Sequence, residues 1–227
     1  MRQGYINHGT PWPLTHHPFA LFLHQKVIME TAFLNLQSAD EVKTYLDKGC
    51  HTHYEPAILK EILLSVEQSD ITRLNWFNQF GDCFRSILIN VYAFRKSCEF
   101  GFTEISFDQY GWFIRPQFLE TEDLKFGNGA RYGEHSIIHI GRGKSNVWTY
   151  ALNYSFGTAG GGSALSVYGK QFRNRETALN AGMAELKSMM TEKLNHTDTT
   201  NYKQQVITGT LRDIVKAEVN MVQLSLF

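Results

Sequence analysis

The sequence predicts an α+β fold, with a mostly helical N-terminal half followed by a small antiparallel sheet with packed helices. In the first hundred residues apolar side chains recur every three or four positions, which places them on one face of an α-helix. Beyond Gly101 the pattern changes to alternating apolar and polar residues separated by glycine-rich turns, as in strands. We therefore expect a helical region at residues 1–98, a sheet with a helix at 99–200, and a C-terminal helix and tail at 201–227.

The N-terminal helices are predicted from apolar spacing and from the residues at their ends. Ser38 can cap a helix with its hydroxyl group, and Gly49 is the residue type favoured just after a helix end. Pro56 suits the first turn of the next helix, where its missing N–H group is not needed. Gly81 is expected to bend or interrupt the longest pattern. The predicted helices span residues 18–36, 38–48, 56–68 and 71–94.

The second half is predicted to contain strands joined by turns, followed by two helices. Residues 147–156 alternate most clearly, and we interpret the face that carries Trp148, Tyr150 and Tyr154 as core beneath the following helix. Asn174 is the expected cap of that helix. The other predicted elements are a hairpin at 103–116, a polar connection at 120–133, strands at 136–140 and 164–168, a glycine-rich loop at 157–162, a polar break at 196–201 and a helix at 206–222.

Charge is balanced over the whole chain but segregated along it. The formal net charge is zero, which excludes strong attraction of the chain as a whole to nucleic acid or to a membrane. Residues 131–175 nevertheless contain six basic residues and one acid, whereas residues 99–126 contain six acids and two basic residues. These counts give local balances of 6 − 1 = +5 and 2 − 6 = −4, which permit a basic face on a neutral protein.

The basic segment suggests a nucleic-acid contact. Its turn and helix-start residues could hold phosphates, and the aromatic residues of the neighbouring strand could stack on bases, although core packing is our preferred interpretation of those aromatics. We therefore regard DNA as a possible partner. The candidate nucleic-acid-binding residues are Arg142, Lys144, Lys170, Arg173 and Arg175.

The cysteines and the chain termini indicate an intracellular protein. Cys50, Cys83 and Cys98 are odd in number and widely spaced, so they form neither a disulfide framework nor a zinc motif. The amino terminus lacks the apolar core of a signal peptide, and no apolar stretch is long enough to span a membrane. We expect a cytoplasmic protein without a membrane partner.

Two motifs with possible chemistry are set aside. The segment from Gly141 to Ser145 lacks the earlier glycine of a phosphate-binding P-loop and precedes a strand, so we interpret it as a hairpin turn. His135 and His139 on a strand would lie roughly 13 Å apart, too far to share one ion. His51 and His53, with Cys50 nearby, lack a fourth ligand. The sequence predicts no metal site and no cofactor.

Catalytic residues cannot be assigned from the sequence. Two acidic groups could serve a nuclease-like site or could equally be solvated acids on a hairpin and a connection. These groups are Glu104 with Asp108, and Glu120 with Glu122 and Asp123.

The last five residues are Gln223, Leu224, Ser225, Leu226 and Phe227. The sequence QLSLF resembles the peptide, usually QL(S or D)LF, by which bacterial replication and repair proteins bind the DNA polymerase sliding clamp. The resemblance implies that the leucines and Phe227 enter an apolar pocket of the clamp while Gln223 makes orienting hydrogen bonds. An alternative is that Val219, Val222, Leu224 and Leu226 finish a helix and pack on the core of the chain.

The resemblance leads to the expected function. We expect an accessory protein of DNA replication or repair, from a host or from a mobile element such as a phage or plasmid, recruited to the sliding clamp by its tail. Two alternatives stay open: a nuclease-like enzyme that the clamp localises, and an interaction protein with no nucleic-acid role. The sequence favours a protein without catalytic activity.

Overall fold

A computed structural model describes residues 38–131 and 133–224 of the chain. The α+β fold is confirmed, and the chain divides into two compact units between Ile87 and Leu88. The predicted helix at 18–36 and the tail residues Ser225 to Phe227 lie outside the described residues. Within the described part, no helix is both long and apolar enough to cross a membrane.

The described part of the first unit is helical. It contains α1 (Ala39–Asp47), α2 (Glu55–Glu67), α3 (Ile71–Asn78) and the start of α4 (Phe84–Glu99). Ser38 caps α1 by accepting a hydrogen bond from the amide of Glu41 at 3.2 Å, and the Glu41 carboxylate accepts one from the Ser38 amide at 3.3 Å. This reciprocal pair is the capping box, which satisfies two amide groups that the helix leaves unpaired.

Gly81 interrupts the longest helical pattern, as the sequence predicts. The residue lies between α3 and α4, and a side chain there would collide with the hydroxyl group of Ser86. The buried apolar residues of this unit are Val42, Ile58, Leu59, Ile62, Leu74, Phe77, Phe80 and Ile87.

The described part of the second unit contains the rest of α4, a four-stranded antiparallel sheet and two further helices. Its strands, in the order β1–β2–β3–β4 across the sheet, are β1 (Glu120–Gly127), β2 (His135–Arg142), β3 (Trp148–Ser155) and β4 (Gly160–Gly162). The helices are α5 (Arg175–Glu192), which packs against β2 and β3, and α6 (Gln204–Leu224), which packs against β1 and β2. Asn174 caps α5 by accepting a hydrogen bond from the Thr177 amide at 2.8 Å, as predicted.

The main core lies between the sheet and the two helices. Trp148, Tyr150 and Tyr154 of β3 are partly buried against it, so the interpretation of that strand face as core is confirmed. The buried residues of this core are Phe126, Ile138, Ile140, Leu152, Phe156, Ala178, Leu179, Met183, Leu186, Met190, Ile207 and Ile214.

Three local predictions in the second half were wrong. The segment predicted as a polar connection contains β1, a strand at the sheet edge. Its first four residues are exposed and polar, so the strand does not show the apolar alternation by which strands are predicted. Residues 164–168 are not a strand, because they leave the sheet edge and bury Val167 with Phe100 and Phe102 in a second, smaller core. The end of the glycine-rich loop, Gly160–Gly162, is itself a strand.

The predicted hairpin at 103–116 is smaller than expected. It consists of one antiparallel bridge between Phe107 and Phe113 with a turn between them. By contrast, a hairpin turn does join β2 to β3 as predicted, although Gly141 and Arg142 still belong to β2 and the turn itself spans residues 143–147. The Gly143 amide donates to the carbonyl of Val147 at 2.8 Å, which closes this turn.

Candidate functional site

The helix α6 includes the first two residues of the C-terminal motif. Among its described side chains, the buried apolar ones are Val206, Ile207 and Ile214, which lie in the core. Among the described side chains from Val215 to Gln223 none is buried, and Val219 is 50% exposed. Val219 therefore does not pack on the core, whereas the side chains of Val222, Leu224 and Leu226, which complete that alternative, lie outside those that the structure describes.

Two contacts hold the last part of α6 before the motif begins. Lys187 of α5 donates to both carboxylate oxygens of Glu218, at 3.0 and 2.7 Å. Met221 is partly buried against the main core. Gln223, the first motif residue, is exposed, and the backbone of Gln223 and Leu224 forms the end of α6. The helix thus extends two residues further than the sequence predicts and includes the start of the motif.

The five candidate nucleic-acid-binding residues are mostly engaged with carboxylates. Arg142 also donates to the side-chain oxygen of Asn146, and Arg173 alone among the five has no ion pair within the described residues. The ion pairs are Arg142 with Glu120, Lys144 with Glu104 at 2.8 Å, Lys170 with Glu185 at 3.4 Å, and Arg175 with Glu122.

This pairing brings the acidic and basic segments of the sequence together. Three of the four carboxylates belong to the acidic stretch at residues 99–126. The hydrogen bond and positive charge of Lys144 lower the pKa of Glu104, so its carboxylate stays ionised beside the ammonium group. A phosphate would have to compete with these carboxylates for the same cations, and the segregated charge of the sequence is largely compensated in the fold.

A row of three polar side chains crosses the sheet on the face opposite the helices. The register places Asp123 of β1 opposite His139 of β2. It places Asn153 of β3 opposite Ile137, which lies two residues before His139 on the same face of β2. Nδ1 of His139 lies 2.6 Å from Oδ1 of Asp123, and Nε2 of His139 lies 2.8 Å from Nδ2 of Asn153. Because the carboxylate accepts from Nδ1–H, the ring leaves Nε2 as the acceptor for the Asn153 amide.

A hollow of about 420 Å³ opens beside this row. His139, Asn153, Ser163 and Leu165 contribute to its lining. A side chain at Gly162 would collide with Oδ1 of Asn153, so the glycine leaves room for this amide. If Asn153 moved aside, Nε2 of His139 could accept a proton from a hydroxyl group or from water in the hollow.

Sequence reasoning missed this row because its members are far apart in the chain. It considered His139 only as a metal ligand and Asp123 only as one of several carboxylates, and it did not identify β1. Nδ1 of His135 instead lies 3.1 Å from the carbonyl oxygen of Arg131. Among the described residues no group of three or more potential ligand side chains is placed to hold a metal ion.

Comparisons with protein-family models, with curated proteins and with solved structures found no match to the chain. The functional argument therefore comes from the chain's own residues.

Proposed function

We propose that this protein is an accessory protein of DNA replication or repair, of host or mobile-element origin, that binds the bacterial DNA polymerase sliding clamp through Gln223 to Phe227. The observation that carries the proposal is a five-residue clamp-binding sequence that begins at the exposed end of α6. Because Gln223 projects into solvent, a partner could reach it without unfolding the second unit.

The position of the motif favours docking at low cost. The last turn of a helix frays easily, since its final carbonyl groups have no partner within the helix. The backbone at Gln223 and Leu224 could therefore adapt to a partner surface while the contacts of Glu218 and Met221 keep α6 in place. The apolar side chains of the motif would then contribute most of the binding free energy.

Attachment to the clamp would also compensate for a weak affinity of the rest of the chain for DNA. Four of the five basic candidates are compensated by carboxylates, so the body is expected to have weak electrostatic affinity for DNA. Attachment to a clamp that encircles DNA would raise the local concentration of the protein at DNA without any new contact.

A pull-down with purified sliding clamp tests the proposal. We expect the intact chain to retain the clamp and a chain that ends at Val222 to lose it. The matched control is Ser225→Asp, which keeps the sequence within the usual form of the motif and should retain binding. Binding by the shortened chain, or none by the intact chain, would contradict the proposal.

A second candidate function is a nucleic-acid-acting enzyme that the clamp localises. The observation that favours it is the 2.6 Å contact between Asp123 and His139 beside an open hollow. In such an enzyme His139 would act as general base for a water molecule that attacks a phosphodiester. Labelled DNA and RNA incubated with the intact chain test this candidate: cleavage that His139→Ala abolishes supports it, and no cleavage by the intact chain rejects it.

A further inference from the structure

A tight turn between Phe107 and Phe113 presents two large aromatic side chains to solvent. Tyr110 is 75% exposed and Trp112 is 43% exposed. The carboxylate of Asp108 accepts hydrogen bonds from the amides of both residues, each at 2.9 Å. These bonds use the backbone amides of Tyr110 and Trp112 and not their rings, so the aromatic side chains take no part in these hydrogen bonds.

The side chain of Asn90 also holds this turn in place. Its buried side chain donates to the carbonyl of Gly111 at 2.8 Å and accepts from the amide of Phe113 at 3.0 Å. Gly111 has a φ of +81°, a backbone conformation that glycine adopts without strain. The turn is therefore rigid, and the exposed rings can bind a partner with little loss of conformational entropy.

Arg115, three residues after Trp112, links the segment of the turn to a further exposed aromatic ring, that of Tyr168. The guanidinium carbon of Arg115 lies 5.3 Å from the centroid of the Tyr168 ring, and Tyr92 stacks on the same ring at 5.4 Å. Tyr168 in turn lines a hollow of about 420 Å³ together with Tyr150 and Lys170. We call this surface, made of Tyr110, Trp112, Arg115, Tyr168 and Lys170, the aromatic strip.

The two charged residues of the aromatic strip, Arg115 and Lys170, are basic, and the carboxylate of Glu185 lies beside Lys170. Within the described residues Arg115 has no ion pair and contacts the Tyr168 ring, which leaves its hydrogen-bond donors available. Lys170 makes only a 3.4 Å contact with Glu185, which also accepts a hydrogen bond from the Tyr150 hydroxyl at 2.5 Å. Exposed rings interleaved with available cations are the combination that binds bases by stacking and phosphates by charge.

We propose that the aromatic strip binds single-stranded DNA, a choice of nucleic acid that rests on the proposed function. Duplex DNA keeps its base faces stacked inside, whereas a single strand offers a face to each exposed ring. The rings of Tyr110 and Trp112 stack on successive bases, and Arg115 and Lys170 contact the intervening phosphates. This surface shares Lys170 with the five basic residues that the sequence put forward, but it does not include the paired cations Arg142, Lys144 and Arg175.

Fluorescence anisotropy with labelled oligothymidylate tests the proposal. The intact chain binds, and Trp112→Ala weakens binding by about tenfold, because each base stacked on an aromatic side chain contributes substantially to affinity. Tyr110→Ala and Arg115→Ala each weaken binding as well. The side chains that bond to the backbone of the turn are those of Asp108 and Asn90, which these variants retain. The variants therefore keep the thermal unfolding profile of the intact chain.

Ile71→Ala is the matched control, because Ile71 is an exposed apolar residue outside the aromatic strip. This variant binds the oligonucleotide as tightly as the intact chain does. Absence of binding by the intact chain overturns the proposal, and so does binding that Trp112→Ala and Arg115→Ala leave unchanged. Either result means that the strip does not bind single strands, and protein partners then become the alternative occupants.

The same experiment separates this proposal from the clamp proposal. A chain that ends at Val222 loses the clamp motif but keeps the whole aromatic strip, so it binds oligothymidylate like the intact chain. Trp112→Ala, in contrast, retains the clamp in a pull-down. Failure of one proposal therefore leaves the readout of the other intact.

Discussion

Gly182 of α5 lies against the ring of Tyr150 on β3. A Cβ atom at position 182 would lie 3.2 Å from Cδ2 of Tyr150 and 2.9 Å from Cγ2 of Ile138. Glycine within a helix normally reduces stability relative to alanine, by about 0.5–1 kcal/mol. Here its missing side chain permits the close approach of α5 to the sheet on which the main core depends.

We therefore expect Gly182→Ala to destabilise the second unit, by about 1–3 kcal/mol, because the added methyl group overpacks a core that has no space for it. Thermal or urea unfolding followed by circular dichroism measures this change. An unfolding free energy equal to or above that of the unmodified chain would show that α5 can shift away from Tyr150 without cost.

Gly209 of α6 should give the opposite result for the same substitution. No atom lies within 4 Å of the position that its Cβ would occupy, and its backbone is helical. Gly209→Ala should raise the unfolding free energy by about 0.5–1 kcal/mol through helix propensity. The expected rise in Tm is about 1–4 °C. A lower Tm would contradict the open surroundings described for this residue.

Removing a carboxylate that pairs with a basic residue should increase DNA binding. Glu122 pairs with Arg175, so Glu122→Gln should free the arginine to bind a phosphate. The slope of log DNA affinity against log salt concentration should then become steeper by up to about one, the effect of one added phosphate contact. Anisotropy with a labelled oligonucleotide over a range of salt concentrations measures the slope.

Glu176→Gln provides the control for this charge change. It removes the same charge close to Arg175, but among the described residues Glu176 makes no ion pair. Equal effects of the two substitutions would show that only net charge matters and that the pairing of Arg175 with Glu122 does not limit DNA binding.

The row on the open sheet face predicts the tautomer of His139. Because the Asp123 carboxylate lies 2.6 Å from Nδ1, the neutral ring should carry its proton on Nδ1. His51 provides an internal contrast, since its Nε2 lies 3.0 Å from two carbonyl oxygens and should carry the proton itself. Nitrogen NMR of the imidazole rings at alkaline pH distinguishes the two forms.

Asp123→Ala should remove the preference of His139 for the Nδ1–H form and leave His51 unchanged. If His139 carried its proton on Nε2 in the unmodified chain, the assigned direction of the Asn153 amide would be wrong. The row would then offer no free acceptor for a proton, and the enzymatic candidate would lose its general base.

The helix-capping residues and the alternation of apolar residues explain which parts of the fold could be predicted from the sequence. Ser38 and Asn174 each bond to an amide in the first turn of the helix they precede, so the helix starts follow from local chemistry. The aromatic alternation of β3 identified the residues that face the main core, because a period of two places them on one side of the strand.

Elements at the sheet edge were harder to predict because their residues are exposed to solvent or pack in the smaller core. The strand β1 begins with Glu120 and Thr121, both exposed, and its apolar residues come only near its end. Val167 belongs to an apolar segment, yet it packs with Phe100 rather than in the sheet. The contacts between Asp123, His139 and Asn153 depend on strand register, which no local pattern specifies.

The aromatic turn shows a similar limit. The sequence predicted a hairpin at 103–116 but not that the rings of Tyr110 and Trp112 would face solvent, because their exposure depends on where Asn90 holds the turn. The ion pairs between the acidic and basic segments are also contacts between residues distant in sequence, such as Glu104 with Lys144.

Competition between a synthetic peptide of residues 218–227 and the intact chain for purified sliding clamp tests the central claim most directly. We predict that the peptide displaces the intact chain completely, and that the same peptide with Leu226→Ala and Phe227→Ala does not. Binding of the intact chain that excess peptide fails to displace, or no binding of the intact chain at all, would contradict recruitment through Gln223 to Phe227.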